Sequence, residues 1–135
     1  MPTEESFEAT VKKICEKDPR YKADAYFFLR ETLDFTSKML QKPQNGPNRH
    51  VSGAELLEGI RAYALQEFAP MALTVLSEWG IKSTRDFGEI VFNLVESGKL
   101  GSTDQDKKED FDNGFDFYEA FAKPFIPAAP RKSAT

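Results

Sequence analysis

Apolar residues recur at helical spacing in five stretches of this chain. The first stretch predicts a helix over residues 3–17 with Thr3 as its N-cap, because a threonine hydroxyl can accept a hydrogen bond from a free backbone N–H. The apolar face of this helix is formed by Phe7, Val11, Ile14 and Cys15. Asp18-Pro19 ends the helix and predicts the start of the next one, with Asp18 as cap and Pro19 at the first helical position.

The second stretch predicts a long helix over about residues 19–41. Its apolar stripe covers so much of the circumference that we expect it at the centre of the fold. The stripe contains Tyr21, Ala25, Phe28, Leu29, Thr32, Leu33, Phe35, Met39 and Leu40. Residues 42–50 read KPQNGPNRH, and such a mixture of Pro, Gly and Asn predicts a loop.

The third helix has the clearest start signal in the chain. Ser52 and Glu55 have the S-x-x-E spacing of a capping box, in which each residue caps a backbone N–H of the other. Val51 and Leu56 stand at the two positions of a hydrophobic staple. Pro70 ends the helix near Phe68, because proline cannot continue the backbone hydrogen bonding.

Two shorter helices follow, over about 70–79 and over 84–97. Gly80 is predicted to end the first of them in a left-handed conformation, which glycine adopts without steric cost. Ser83 and Asp86 have the spacing of a second, weaker capping pair at the start of the other.

The acidic segment 101–122 is open to two interpretations. A short helix could run from Thr103 to about Asp112, with Gly114 as its C-terminal glycine, or Asn113-Gly114 could form a tight hairpin turn. We prefer the helix because Asp, Lys and Glu are poor strand formers. The Pro- and Ala-rich residues 123–135 predict a mobile tail.

Together these elements predict an all-α fold of five main helices in one domain, residues 1–122. The third to fifth helices form a trihelical unit that resembles a helix-turn-helix. A degenerate winged helix, with an eroded wing at 100–118, is one form that this unit could take.

Composition narrows the setting of the protein. The 135 residues carry a formal net charge of −4 and include twelve Phe, which indicates an aromatic-rich core. A single cysteine excludes an internal disulfide and is typical of the reducing cytoplasm. The acidic N-terminus does not resemble a secretory signal, and no run of about 18 apolar residues exists to span a membrane. We expect a cytoplasmic protein that does not act at a membrane.

The sequence offers no catalytic, cofactor-binding or metal-binding residues. Its only thiol, Cys15, falls on an apolar helix face and is predicted to be buried and inert, while its only histidine, His50, is predicted to be a solvated loop residue or part of a helix start. One Cys and one His cannot form an ordinary zinc site, and the phosphate-binding glycine motifs are absent. An EF-hand register on Gly114 places Phe111 and Ala120 at ligand positions, so it fails.

The helix-turn-helix resemblance does not carry a DNA-binding surface with it. The fifth helix offers Arg85 and Asn93 to a phosphate backbone, against Asp86, Glu89 and Glu96. Non-specific DNA affinity depends on clustered Lys and Arg, so this acidic helix argues against nucleic acid as a partner.

Three stretches resemble a family of small uncharacterised bacterial helical proteins with no assigned activity. They read RYKADAYFFLRETLDFT, SGAELLEGIRAYALQEFAPMALTVLSEWGIKSTRDFGEIVFNLVESGKL and EDFDNGFDFYEAF. The resemblance implies a self-contained bacterial domain and transfers no site residue.

The expected function is therefore a non-enzymatic protein-interaction or adaptor domain whose partner is an unknown protein. This expectation rests on the absence of catalytic, metal and phosphate motifs and on the acidic charge balance. A DNA-binding regulator of the helix-turn-helix type is the first alternative, and an enzyme of unrecognised type is the second.

Trp79, at the end of the fourth helix, is predicted to be a buried core anchor.

Overall fold

The computed structural model describes residues 6–43, 50–100, 108–112 and 114–127, and every regular element in them is helical. The prediction of an all-α fold with five main helices is confirmed. The helices are α1 Phe7–Lys17, α2 Ala23–Met39, α3 Gly53–Phe68, α4 Ala72–Glu78 and α5 Thr84–Glu96. Short 3₁₀ turns span Ala69–Met71, Lys108–Phe111 and Lys123–Phe125, and a π turn spans Tyr118–Ala122. Among these elements, no helix has both the length and the apolar character that crossing a membrane requires.

The starts of the first two helices differ from their predictions. The Ser6 hydroxyl caps α1 by accepting the N–H of Ala9 at 3.1 Å, and the predicted cap Thr3 lies outside the described residues. The prediction that Asp18-Pro19 starts α2 is wrong, because α2 begins at Ala23 after Lys22. Asp18 instead closes α1 through its backbone N–H, and its carboxylate binds the side chain of Arg20.

The capping box of α3 forms as predicted. The Ser52 hydroxyl accepts the N–H of Glu55 at 3.1 Å, and the Glu55 carboxylate accepts the N–H of Ser52 at 3.0 Å. Accepting this N–H lowers the pKa of Glu55, with a further contribution from Lys42. The start of α3 is thus set by two residues that are three positions apart in sequence.

Replacing Ser52 by alanine should lower the free energy of unfolding by about 1 kcal/mol, the usual cost of losing an N-cap side chain. The midpoint of urea denaturation measures this loss. Ser77→Ala, at an exposed position inside α4, is the matched control and should leave the midpoint nearly unchanged. Equal midpoints for the two variants would show that the Ser52 cap contributes nothing.

The end of α4 also follows its sequence signal. Gly80 has φ of +91°, as predicted for a C-terminal glycine, and its missing side chain leaves room for the carbonyl oxygen of Arg20. The chain then folds back, so that Ile81 is buried and donates its N–H to the carbonyl of Leu76. The predicted start at residue 70 falls instead in the separate 3₁₀ turn Ala69–Met71.

The core lies between α2 and α3 and is closed by α5 and by the residues that follow it, 108–112 and 114–127, which we call the C-terminal segment. Its largest completely buried side chains are Tyr26, Phe87, Phe121, Leu29, Ile60 and Leu76. Trp79 is only half-buried, so the prediction of a buried anchor is wrong, although its ring packs on Phe28 and Phe68 with centroids 5.6 Å away.

The C-terminal segment returns across α5 and α4 as a chain of short turns. Of the short helix predicted from Thr103 to about Asp112, residues 103–107 lie outside the described residues. Lys108–Phe111 forms a 3₁₀ turn, and the described part of the segment contains no hairpin strands. Gly114, the predicted helix-ending glycine, follows Asn113, which lies outside the described residues, and an added Cβ on Gly114 would lie 2.5 Å from Cδ1 of Leu57.

Residues 123–127 of the predicted tail continue this run of turns and are exposed, and the rest of the tail lies outside the described residues.

Candidate functional site

The chain's only thiol and only histidine, Cys15 and His50, are both half-buried. Cys15 is half-buried rather than buried, and its thiol donates to the carbonyl oxygen of Tyr21 at 3.6 Å. Burial first, and then the nearby Asp18 carboxylate, raise the pKa of the Cys15 thiol, which disfavours the reactive thiolate. His50 is half-buried just before α3. Cys15 is therefore a poor nucleophile.

A polar cluster joins the end of α1 to α5. The Asp18 carboxylate accepts two hydrogen bonds from the Arg20 guanidinium, at 2.8 and 2.7 Å, and one from the Asn93 amide at 3.1 Å. The Asn93 amide also donates to the hydroxyl of Tyr26 at 2.9 Å. Burial, with a smaller contribution from Asp18, raises the pKa of Tyr26 to about 12, so this hydroxyl stays protonated. The cluster ties three elements together and its groups satisfy one another.

The pKa of Asp18 is held well below its usual range, chiefly by the side-chain hydrogen bonds from Arg20. The unfolded chain therefore takes up a proton at this carboxylate at a higher pH than the folded chain does. It follows that the stabilisation from Asp18 is complete above about pH 5 and is lost as the pH falls toward the folded-state pKa. The effect should be modest, because Arg20 is half-exposed and solvent screens the pair.

Asp18→Asn should accordingly flatten the acid side of the stability profile. Urea midpoints measured between about pH 6 and pH 2.5 should fall less steeply in this variant than in the wild type. Asp24→Asn, at an exposed aspartate in the first turn of α2, should keep the wild-type slope. If the urea midpoint of Asp18→Asn falls with pH as steeply as that of the wild type, the Asp18 carboxylate does not cause the loss of stability at acidic pH.

The segment Lys108–Asp112 packs on the part of α5 that carries Arg85 and Gly88. Asp112 binds Arg85 with both carboxylate oxygens at 2.9 Å. Phe111 packs so closely on Gly88 that an added Cβ there would lie 2.9 Å from the Cβ of Phe111. Of the two residues that sequence offered to phosphate, Arg85 is therefore paired here and Asn93 belongs to the polar cluster.

A half-open groove of about 620 Å³ lies beside the start of α5. The groove is lined by positively charged, negatively charged and hydroxyl side chains and by two aromatic rings: Lys82, Ser83, Thr84, Arg85, Asp112, Phe115, Asp116 and Phe117. Most of these polar groups already serve the fold, since Arg85 pairs with Asp112, and Asp116 accepts the N–H of Glu119 at 3.0 Å. The described residues contain no group of three or more His, Cys, Asp or Glu placed to hold a metal ion.

Six large hydrophobic side chains of the described residues are exposed, and two of them, Met39 and Leu40, lie at the end of α2. The other four are exposed on two contacting parts of the fold: Met71 (55%), Tyr118 (55%), Phe125 (43%) and Ile126 (50%). The turn that carries Met71 and the helix α4 that follows it both contact the π turn Tyr118–Ala122, and this turn leads into the one that carries Phe125. We call these four residues the C-terminal apolar surface.

Sequence reasoning missed this surface. The helix predicted over about 70–79 includes Met71, and the mobile tail predicted over 123–135 includes Phe125 and Ile126. One signal could have found the last two, because Phe125-Ile126 stands between Pro124 and Pro127, outside any helical period. Adjacent large apolar residues in such a segment do not belong to the buried face of a predicted helix.

No protein-family model, curated protein or solved structure matches this chain. The site must therefore be interpreted from its own residues.

Proposed function

We propose that this protein is a non-enzymatic protein-interaction domain that binds its partner through the C-terminal apolar surface. One observation carries the proposal: four large hydrophobic side chains on contacting elements are between 43% and 55% exposed. Leaving such side chains in water forgoes the free energy of burying them, at about 25 cal/mol per Å². Exposed apolar patches on soluble domains commonly mark interaction sites for this reason.

The setting that we propose is the bacterial cytoplasm. The resemblance of residues 20–36, 52–100 and 109–121 to small bacterial helical proteins favours a bacterial source. The single cysteine, which can form no internal disulfide, favours a reducing compartment.

The experiment that tests this function is site-specific photocrosslinking in the source cells. A photoreactive phenylalanine analogue at Tyr118 should crosslink to another protein chain. The same analogue at Met39, an exposed residue of α2 outside the C-terminal apolar surface, should not. If Tyr118 yields no crosslinked protein although the variant accumulates normally, or if both positions crosslink equally, this function is wrong.

The DNA-binding alternative makes a different prediction. Because Arg85 is paired with Asp112 and α5 also carries Asp86, Glu89 and Glu96, we expect no mobility shift of duplex DNA by micromolar protein at low salt. Low salt is the stringent condition, since binding to phosphate tightens steeply as salt is removed. A salt-sensitive shift that disappears in Arg85→Glu would overturn the interaction-domain proposal in favour of a DNA-binding regulator.

A further inference from the structure

We propose that the partner at the C-terminal apolar surface is a second copy of this chain, and that the two copies pair about a two-fold axis. This inference rests on the proposed function, because it names the partner of the same surface. Cyclic two-fold dimers are the commonest assemblies of soluble proteins, and in them one surface meets itself. Such a surface must therefore be complementary to its own rotated copy, in charge as well as in apolar character.

The charged residues that neighbour Tyr118, Phe125 and Ile126 in the sequence meet this condition. Residues 117–127 contain one acidic and one basic residue, Glu119 and Lys123, so their net charge is zero while that of the whole chain is −4. Two copies of an acidic chain repel one another least where neutral surfaces meet. Three of the four exposed apolar side chains, Tyr118, Phe125 and Ile126, lie in this neutral stretch, so apolar burial and the weakest repulsion coincide there.

The arrangement of the two charges points to the two-fold axis. Glu119 and Lys123 stand four residues apart and form an ion pair at 3.1 Å on the exposed side of the turns, where both side chains are more than half exposed. A two-fold axis that passes between them brings Glu119 of one copy beside Lys123 of the other, twice over. Met71, Tyr118, Phe125 and Ile126 then supply the apolar area around these pairs.

Sedimentation velocity over a range of protein concentrations tests the pairing. Wild-type protein should pass from monomer to dimer as its concentration rises to about 1 mM. A dissociation constant of about 1 mM corresponds to an association free energy of about −4 kcal/mol. The double variant Met71→Ser with Ile126→Ser should stay monomeric, because it removes apolar area without changing charge. Met39→Ser, at an exposed residue of α2, is the matched control and should dimerise like the wild type.

A charge exchange tests the two-fold axis itself. Glu119→Lys and Lys123→Glu should each weaken the dimer, since each variant places like charges across the axis. An equimolar mixture of the two variants should restore it, because every contact across the axis then joins a lysine to a glutamate. Circular dichroism of each variant should match that of the wild type, as expected for exposed residues.

Three results would overturn the inference: a wild type that is monomeric at every concentration, a double variant that dimerises as well as the wild type, or a mixture that regains nothing. The first result is separable from failure of the proposed function. A monomeric wild type whose Tyr118 position still crosslinks to a different protein would leave the interaction domain standing with another partner.

Discussion

Gly59→Ala should destabilise this protein by about 3 kcal/mol, at the upper end of the usual cost of overpacking a core. Gly59 lies where α3 crosses α2, and a methyl group there would overlap the Thr36 side chain. Thr36 is completely buried and its hydroxyl donates to the carbonyl of Thr32 at 2.7 Å, so it cannot move aside. The two helices must separate, which outweighs the gain of about 1 kcal/mol that alanine brings to a helix.

Thermal or urea denaturation of the purified variant measures this loss. The matched test is the double variant Thr36→Ala with Gly59→Ala, which removes the hydroxyl and methyl groups that the new side chain would strike. It should be more stable than Gly59→Ala alone, and the difference reports the steric coupling between the two positions. If the second substitution only adds to the damage, the close crossing of α2 and α3 is not the cause.

The helix starts and ends that sequence predicted well are those set by nearby residues. Ser52 and Glu55 cap each other over three positions, and Gly80 ends α4 with a positive φ, which glycine adopts without steric cost. The predicted start at Asp18 failed because its carboxylate has other partners, of which one is near in sequence and one is distant. Its carboxylate is bound by Arg20 and by Asn93, which lies 75 residues away in sequence, so it does not cap α2.

Exposure was harder to predict than secondary structure. Helical periodicity tells which residues share a face, but not how many neighbouring elements cover that face. Cys15 and Trp79 lie on apolar faces that the fold covers only in part, so both are half-buried. Met71 falls inside the helix predicted over about 70–79, but in the structure it precedes α4 in a 3₁₀ turn, and its side chain is exposed. The sequence does not predict the candidate site, because that site consists of apolar side chains that the neighbouring elements leave exposed.

The position of the C-terminal segment could not be predicted either, because its anchors act over long sequence distances. Buried Thr84, the first residue of α5, donates its hydroxyl to the carbonyl of Phe111 and accepts the N–H of Gly114 at 3.0 Å. These partners lie 27 and 30 residues away. The sequence signalled only that aromatic residues recur there, and not which helices they would meet.

Phe121→Ala should reveal how strongly this segment supports both the fold and the C-terminal apolar surface. The Phe121 ring is completely buried and meets the rings of Phe115 and Phe117 edge-on, with centroids 5.6 and 5.2 Å away. Phe117 in turn packs on Phe87 of α5 at 6.1 Å. Removing a buried phenylalanine ring typically costs about 3–5 kcal/mol, because the surrounding side chains collapse only partly into the cavity.

The matched control for this ring is Tyr118→Ala, because Tyr118 lies in the same π turn as Phe121 but is 55% exposed. A surface substitution of this kind should change the free energy of unfolding by about 0.5 kcal/mol or less, while abolishing the contact that the interaction requires. Phe121→Ala should therefore lose stability and Tyr118→Ala should lose association, as denaturation midpoints and sedimentation velocity would measure. If Phe121→Ala unfolds at the same urea concentration as Tyr118→Ala, the segment does not dock through its aromatic rings, and the apolar surface built on it has no fixed geometry.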